Sequence, residues 1–135
     1  MPADRVQRRL AAILAADVVG YSRLITIDEE GTLARLKRRL RDIVSPLVAT
    51  HRGRVFKVMG DGLLVVFGSA VDAVKCAIQV QAAMDAANSS EQSDCAIRLR
   101  IGINMGDVVV DGGDLYGDGV NIAARLESLA EAGGI

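Results

Sequence analysis

The sequence has 135 residues, of which 50% are hydrophobic and 24% charged, so we expect one globular domain with a sizeable core. A net charge of −1 gives no field that would attract nucleic acid or a membrane, and 3% aromatic content leaves few rings for base stacking. Two cysteines without metal-ligand spacing and one histidine argue against a zinc site. Reduced thiols in a cytoplasmic protein are the simplest interpretation.

The first predicted element is a buried strand. Residues 1–9 are polar and are predicted to be a flexible N-terminal segment, with the domain occupying residues 10–135. The apolar run from Ala11 to Val19 predicts a strand that is buried on both faces. Asp17 lies inside this run, where a carboxylate is unfavourable unless it is paired, hydrogen-bonded or bound to metal. Asp17 could cap a turn at the strand's end, or it could bind a divalent cation together with a second acid.

A long helix is predicted next. Acidic residues at positions 28–30 mark its start, and leucines recur at helical spacing from Leu33 to Leu47. Pro46 should kink or restart the helix, with Ser45 as its N-cap, and Gly53 should end it. Basic residues between the leucines favour a solvated face over a nucleic-acid patch, because no aromatic residues are interleaved.

A β-hairpin is predicted over residues 54–67, where two apolar runs flank Gly60-Asp61-Gly62. Asp61 could serve only as a turn residue. A functional role follows if its strand lies beside that of Asp17, because Mg²⁺ in proteins is typically held by one or two carboxylates and substrate phosphates.

The second half of the chain adds a helix at 70–87, an alternating strand at 97–103, and a turn at Gly106-Asp107 leading to a strand at 108–110. A third helix should open near Gly119. The apolar side of the 70–87 helix is expected to contain Ala70, Ala73, Val74, Ala77, Ile78 and Met84. The element order predicts an α+β fold with a ferredoxin-like β-α-β-β-α-β core, an added strand and a C-terminal helix.

The third helix carries a second set of candidate residues. Asn121 and Arg125 are four residues apart and therefore share one helix face. The amide suits a sugar oxygen and the guanidinium suits phosphoryl charge, although Arg125 could instead pair with Glu127 on the surface. The residues expected on the buried face are Ile122, Leu126 and Leu129.

Three segments carry a family resemblance. They are Ala16-Asp17-Val18-Val19-Gly20-Tyr21-Ser22, Phe56-Lys57-Val58-Met59-Gly60-Asp61-Gly62 and Leu115-Tyr116-Gly117-Asp118-Gly119-Val120-Asn121-Ile122-Ala123-Ala124-Arg125. With these segments in this order, the sequence resembles the catalytic domain of class III nucleotidyl cyclases, particularly bacterial adenylate cyclases, from about Arg9 to Ile135.

The resemblance implies a role for each matching residue. The implied metal site, with two Mg²⁺ or Mn²⁺ ions, comprises Asp17, Val18 and Asp61. The implied catalytic residues are Asn121 and Arg125. The implied substrate-binding residues are Lys57 and Asp114, which would read adenine, and the backbone of Val18, Val19, Gly20, Tyr21 and Ser22, which would face the triphosphate.

The resemblance also implies a reaction: the ribose 3′-hydroxyl of ATP attacks the α-phosphorus, giving 3′,5′-cyclic AMP and pyrophosphate. Lys57 donates and Asp114 accepts, which matches adenine, whereas an acid at position 57 would be expected for GTP. The family implies a homodimer with sites at the subunit interface, and a domain that continues beyond Ile135. The alternative is a non-catalytic, cyclase-like module that binds nucleotide or a partner.

Overall fold

The computed structural model describes residues 6–59, 62–90, 96–111 and 114–135. These residues form one antiparallel sheet in the order β2-β3-β1-β4-β5. Its strands are β1 (Val6–Val18), β2 (Arg54–Met59), β3 (Gly62–Phe67), β4 (Leu99–Asp111) and β5 (Asp114–Tyr116). The helices are α1 (Tyr21–Ile27), α2 (Glu29–Arg39), a π-helical turn (Leu40–Val44), α3 (Ser45–Thr50), α4 (Ala70–Asn88) and α5 (Asp118–Leu129). The predicted β-α-β-β-α-β core and the C-terminal helix, α5, are confirmed. The added strand is β5, whereas the strand predicted at residues 108–110 is part of β4.

Strand β1 is central and buried on both faces, as its apolar run predicts. Ala12, Leu14 and Ala16 face the core formed with α1 to α4. Ile13 and Ala15 face a smaller core that includes Ala123 of α5. Within the described residues, helices α1 to α4 cover one face of the sheet and α5 covers the other.

Strand β1 also starts earlier than its apolar run indicates. It begins at Val6 because residues 6–10 pair with residues 107–111 of β4. Residues 1–5 lie outside the described residues, and the domain boundary at residue 10 stays a prediction.

The predicted turn at Gly106-Asp107 is wrong. Both residues lie inside β4, opposite Ala11 and Leu10 of β1. A Cβ on Gly106 would lie 3.4 Å from Cα of Gly119, at the start of α5. The same Cβ would be nearest to Asn104 Nδ2, at 3.0 Å, so Gly106 lies where β4 contacts α5 and not in a turn.

The first helical segment is divided differently from the prediction. Helix α1 precedes the acidic residues, and Asp28 then caps α2 by accepting a hydrogen bond from the Gly31 amide at 3.0 Å. Pro46 does restart the helix, but Ser45 is not its cap. The amide of Ser45 donates to the carbonyl of Leu40 through the π-helical turn, and Val44 occupies the N-cap position without a side-chain hydrogen bond.

Helix α4 begins where Ser69 Oγ accepts from the amides of Val71 and Asp72 at 3.1 and 3.3 Å. Ala70, Val74 and Ile78 are exposed, against expectation, and Cys76 and Val80 are buried instead. No helix within the described ranges has the length and apolar character needed to cross a membrane.

Candidate active site

Asp17 lies near the end of β1 with its carboxylate in a two-point salt bridge. Arg100 of β4 is directly opposite in the sheet, and its Nε and Nη2 donate to Asp17 Oδ1 and Oδ2 at 3.2 and 3.0 Å. The side chains are 21% exposed for Asp17 and 32% for Arg100. Asp17 is thus part of the strand rather than a turn residue after it, and its charge is balanced across the sheet.

The β2–β3 hairpin meets β1 at Asp17. In the β1–β3 register Asp17 pairs with Gly62, the first residue of β3, and Gly62 also pairs with Met59 of β2. The predicted hairpin is therefore confirmed, and it is adjacent to the strand that carries the first acid. Asp61 lies outside the described residues, so its meeting with Asp17 stays a prediction.

The segment after β1 turns sharply into α1. Gly20 has φ 66°, a left-handed conformation that favours glycine, and its carbonyl accepts from the Leu24 amide at 3.0 Å. The amide of Val19 donates to the carbonyl of Arg98 at 2.8 Å, so it is committed within the protein. Tyr21 and Ser22 form the first turn of α1, where backbone amides have no partner within the helix.

Helix α5 presents Asn121 and Arg125 on its exposed side, as the four-residue spacing predicts. The prediction of its buried face is wrong. Ile122, Leu126 and Leu129 are 41%, 40% and 80% exposed. The buried positions are instead Gly119, Ala123 and Glu127.

The inward face of α5 is small because the helix backbone lies very close to β4. A Cβ on Gly102 of β4 would meet the amide nitrogen of Glu127 and lie 2.5 Å from the Ala123 carbonyl oxygen. A Cβ on Gly119 would lie 2.8 Å from the carbonyl oxygen of Asp107. The glycines at the start of α5 thus serve this packing, and they border an open cleft of about 430 Å³ that Asn104 and Asp107 also line.

Lys57 and Asp114 lie on the two edge strands, β2 and β5. The sheet curls far enough that Cα atoms of β2 and β5 come within 8 Å of each other. Phe56 and Leu115, the neighbours of these residues in sequence, pack against the same small core. The strands that carry the two predicted base-reading residues therefore converge, although the side chains of Lys57 and Asp114 are not described.

The chemistry of Asp17 fits a divalent cation. A carboxylate offers about four lone-pair positions, and a two-point guanidinium contact uses two of them. Hard oxygen donors of this kind suit Mg²⁺ and Mn²⁺. Within the described part of the chain, no three His, Cys, Asp or Glu side chains form a cluster that could hold a metal. A cation at Asp17 would also need donors from elsewhere, such as Asp61, a main-chain oxygen or phosphate.

Sequence reasoning missed Arg100. The available signal was a charged side chain inside an alternating apolar segment, which requires a counter-charge when its strand is central.

Comparison with known proteins agrees with this geometry. Residues 5–135 match the family described as the adenylate and guanylate cyclase catalytic domain. The chain is 56% identical over 135 residues to "Putative adenylate cyclase 3" of Rhizobium meliloti, covering 100% of this chain and 23% of that protein. It is 35% identical over 127 residues to an adenylate cyclase of Streptomyces coelicolor, covering 94% of this chain and 32% of that protein.

A solved structure supports the same assignment. The adenylate/guanylate cyclase/hydrolase from Silicibacter pomeroyi superposes with a TM-score of 0.88 at 44% identity, covering 95% of this chain and 74% of that one. The chain spans less than a third of the length of the two curated relatives above. A family match over nearly the whole sequence, joined to the same fold in a solved relative, shows that the chain belongs to the adenylate and guanylate cyclase catalytic domain family.

Proposed function

We propose that this domain is an adenylate cyclase that converts ATP to 3′,5′-cyclic AMP and pyrophosphate. The observation that carries the proposal is the register of β1 with β3. It pairs Asp17 with Gly62, the residue that directly follows Asp61. Two carboxylates near this point would form the oxygen-rich site that the reaction requires.

Asp17 and Asp61, with the main chain of Val18, would hold two Mg²⁺ or Mn²⁺ ions. When bound, the ions activate the 3′-hydroxyl and neutralise charge on the α-phosphate and the departing pyrophosphate. Without bound ions, the salt bridge to Arg100 holds the Asp17 carboxylate in position.

Asn121 and Arg125 would act on the reacting part of the nucleotide. Both side chains project from the exposed face of α5, and the buried face of that helix is fixed against β4. The Asn121 amide would orient the ribose. The Arg125 guanidinium would supply fixed positive charge where negative charge develops, a contribution often worth about 3 kcal/mol or more.

Lys57 and Asp114 would select adenine. The convergence of β2 and β5 supports a shared role, since residues on opposite edges of a flat sheet could not touch one base. The Lys57 ammonium donates to a ring nitrogen, and the Asp114 carboxylate accepts from the exocyclic amine. Guanine reverses this pattern at the same edge, so ATP is the expected substrate.

A homodimer would complete the site. Ile122, Leu126 and Leu129 form an exposed apolar face on the same helix as Asn121 and Arg125. An exposed apolar surface of this kind beside polar functional residues is typical of a protein interface. We infer that Asp17 of one subunit and Arg125 of the other serve one ATP, so that each dimer has two equivalent sites.

Complementation between two inactive variants tests the reaction and the shared site together. Asp17→Asn removes a metal ligand and Arg125→Ala removes the transition-state cation, so each homodimer should form no cyclic AMP from ATP and Mn²⁺. When the two chains are co-expressed, half of the dimers are mixed, and each mixed dimer has one intact site. Activity should then return to about one quarter of wild type.

The controls separate the parts of the proposal. Glu131→Gln, on an exposed residue after α5, should remain active alone and in mixtures. Wild-type protein that binds ATP but forms no cyclic AMP would favour the non-catalytic module. Mixed dimers that form yet stay inactive would refute the shared site, and cyclic GMP formed equally well from GTP would refute the base assignment.

A further inference from the structure

Arg100 lies between two carboxylates on different elements. Its Nη2 is 3.0 Å from Asp17 Oδ2 on β1 and 3.6 Å from Glu127 Oε1 on α5. Its Nη1 donates to the carbonyl of Ser128 at 3.4 Å. The guanidinium therefore already contacts α5, the helix toward which it would move if it left Asp17.

A divalent cation on Asp17 would change the balance of charge around Arg100. An ion about 2 Å from a carboxylate oxygen would lie within about 5 Å of the guanidinium, and two cations at that distance repel each other. Glu127 is 8% exposed and bears the opposite charge, so it is a suitable partner for Arg100 once Asp17 binds a cation.

We infer that Arg100 is a positioning residue that sets the affinity of Asp17 for a divalent cation. In the absence of the cation it holds the Asp17 carboxylate by the two-point salt bridge. When the cation binds, the guanidinium shifts toward Glu127 and the Ser128 carbonyl. This inference rests on the proposed function, because it takes Asp17 as a metal ligand.

The shift would link cation binding to α5. Glu127 is two residues from Arg125, and its amide lies against Gly102 at the tightest point of the helix–strand contact. A stronger Arg100–Glu127 pair in the cation-bound protein would hold α5 more firmly to β4. The helix that carries Asn121 and Arg125 would thus be most rigid when the site holds its cation.

The test measures Mn²⁺ binding without nucleotide, by the loss of the electron paramagnetic resonance signal of free Mn²⁺. Arg100→Met removes the competing charge and should tighten Mn²⁺ binding about tenfold, because the lost contact is a partly exposed, two-point ion pair. Arg100→Lys keeps the charge and should lie between wild type and Arg100→Met. Glu127→Gln removes the second partner and should weaken binding about threefold, whereas Glu131→Gln, a matched loss of one negative charge, should leave it unchanged.

Arg100→Met should tighten Mn²⁺ binding and Glu127→Gln should weaken it. Opposite changes in Mn²⁺ affinity exclude a merely structural role. If Arg100 were only structural, Arg100→Met would lower the thermal midpoint equally with and without Mn²⁺ and would leave the dissociation constant for Mn²⁺ unchanged. Our inference requires that Mn²⁺ raise the midpoint of Arg100→Met more than that of wild type. Equal or weaker Mn²⁺ binding by folded Arg100→Met would overturn the inference alone. Full Mn²⁺ binding by Asp17→Asn, or none by wild type, would overturn the metal assignment and the inference with it.

Discussion

Gly102→Ala is the sharpest test of how the fold supports the site. Gly102 lies in β4 beneath α5, and an added Cβ would be 2.5 Å from the Ala123 carbonyl oxygen and 2.7 Å from Cα of Glu127. Both neighbours are backbone atoms, so no side chain can rotate away. The helix itself must move, and ordinary contact begins at about 3.4 Å, so the required shift is about 1 Å.

The magnitude follows from this displacement. Overpacking of a well-packed interior costs about 1–3 kcal/mol, and a clash with backbone should lie at the upper end, about 3 kcal/mol. With a urea m-value of about 1.5–2 kcal/mol/M, the unfolding midpoint should fall by roughly 1.5–2 M. A misplacement of about 1 Å for Asn121 and Arg125 should lower turnover about 100-fold.

Urea denaturation followed by circular dichroism and a cyclic AMP assay would measure the two effects. Gly68→Ala is the matched control, because a Cβ there meets nothing within 4 Å and the site is exposed. It should leave the midpoint and the turnover close to wild type. A Gly102→Ala protein with unchanged stability would refute the close contact between α5 and β4. Lost stability with full turnover would show that the position of α5 does not control the chemistry.

Two further predictions concern the opposite side of the sheet. Asn88 is buried and joins α4 to the chain before β4, donating from Nδ2 to the Ile97 carbonyl at 2.7 Å and accepting from the Ile97 amide at 3.2 Å. Asn88→Ala should lower the free energy of unfolding by about 2–3 kcal/mol in urea titrations, with the exposed Ser89→Ala nearly neutral. Burial raises the pKa of the Cys76 thiol to about 11, so below that pH the reactive thiolate is scarce. In a Cys95→Ser background, iodoacetamide at pH 8 should label native protein far more slowly than urea-unfolded protein, and equal rates would contradict the burial.

The strands and helices that pack through long apolar side chains could be predicted from the sequence. The continuous apolar run before Asp17 predicts a strand buried on both faces. In the structure helices α1 to α4 cover one face and α5 covers the other. The β2–β3 hairpin also follows from local sequence, since turn chemistry is set by adjacent residues. Both features leave a local signal in the sequence, which is why they can be predicted without a structure.

The contact between β4 and α5 could not be predicted in the same way. Gly106 and Asp107 have the composition of a turn, yet β4 continues through them to pair with the N-terminal half of β1. Gly106 contacts the backbone of Gly119, which approaches only in the folded chain. The partner of Asp17 was missed for a similar reason, because Arg100 is 83 residues away in sequence and meets it only through strand pairing.

Helix α5 shows why an apolar residue is a poor guide to the buried face when the contact is this close. Gly119 and Ala123 face β4 together with Glu127, and the helix backbone at these positions lies directly against the sheet. The long apolar side chains are displaced to the outside, beside Asn121 and Arg125. One helix can therefore be held against the sheet at its inner positions while Asn121, Arg125 and the long apolar side chains stay exposed. A substitution on its inner face should act first on stability, whereas one on its outer face should act first on association or turnover.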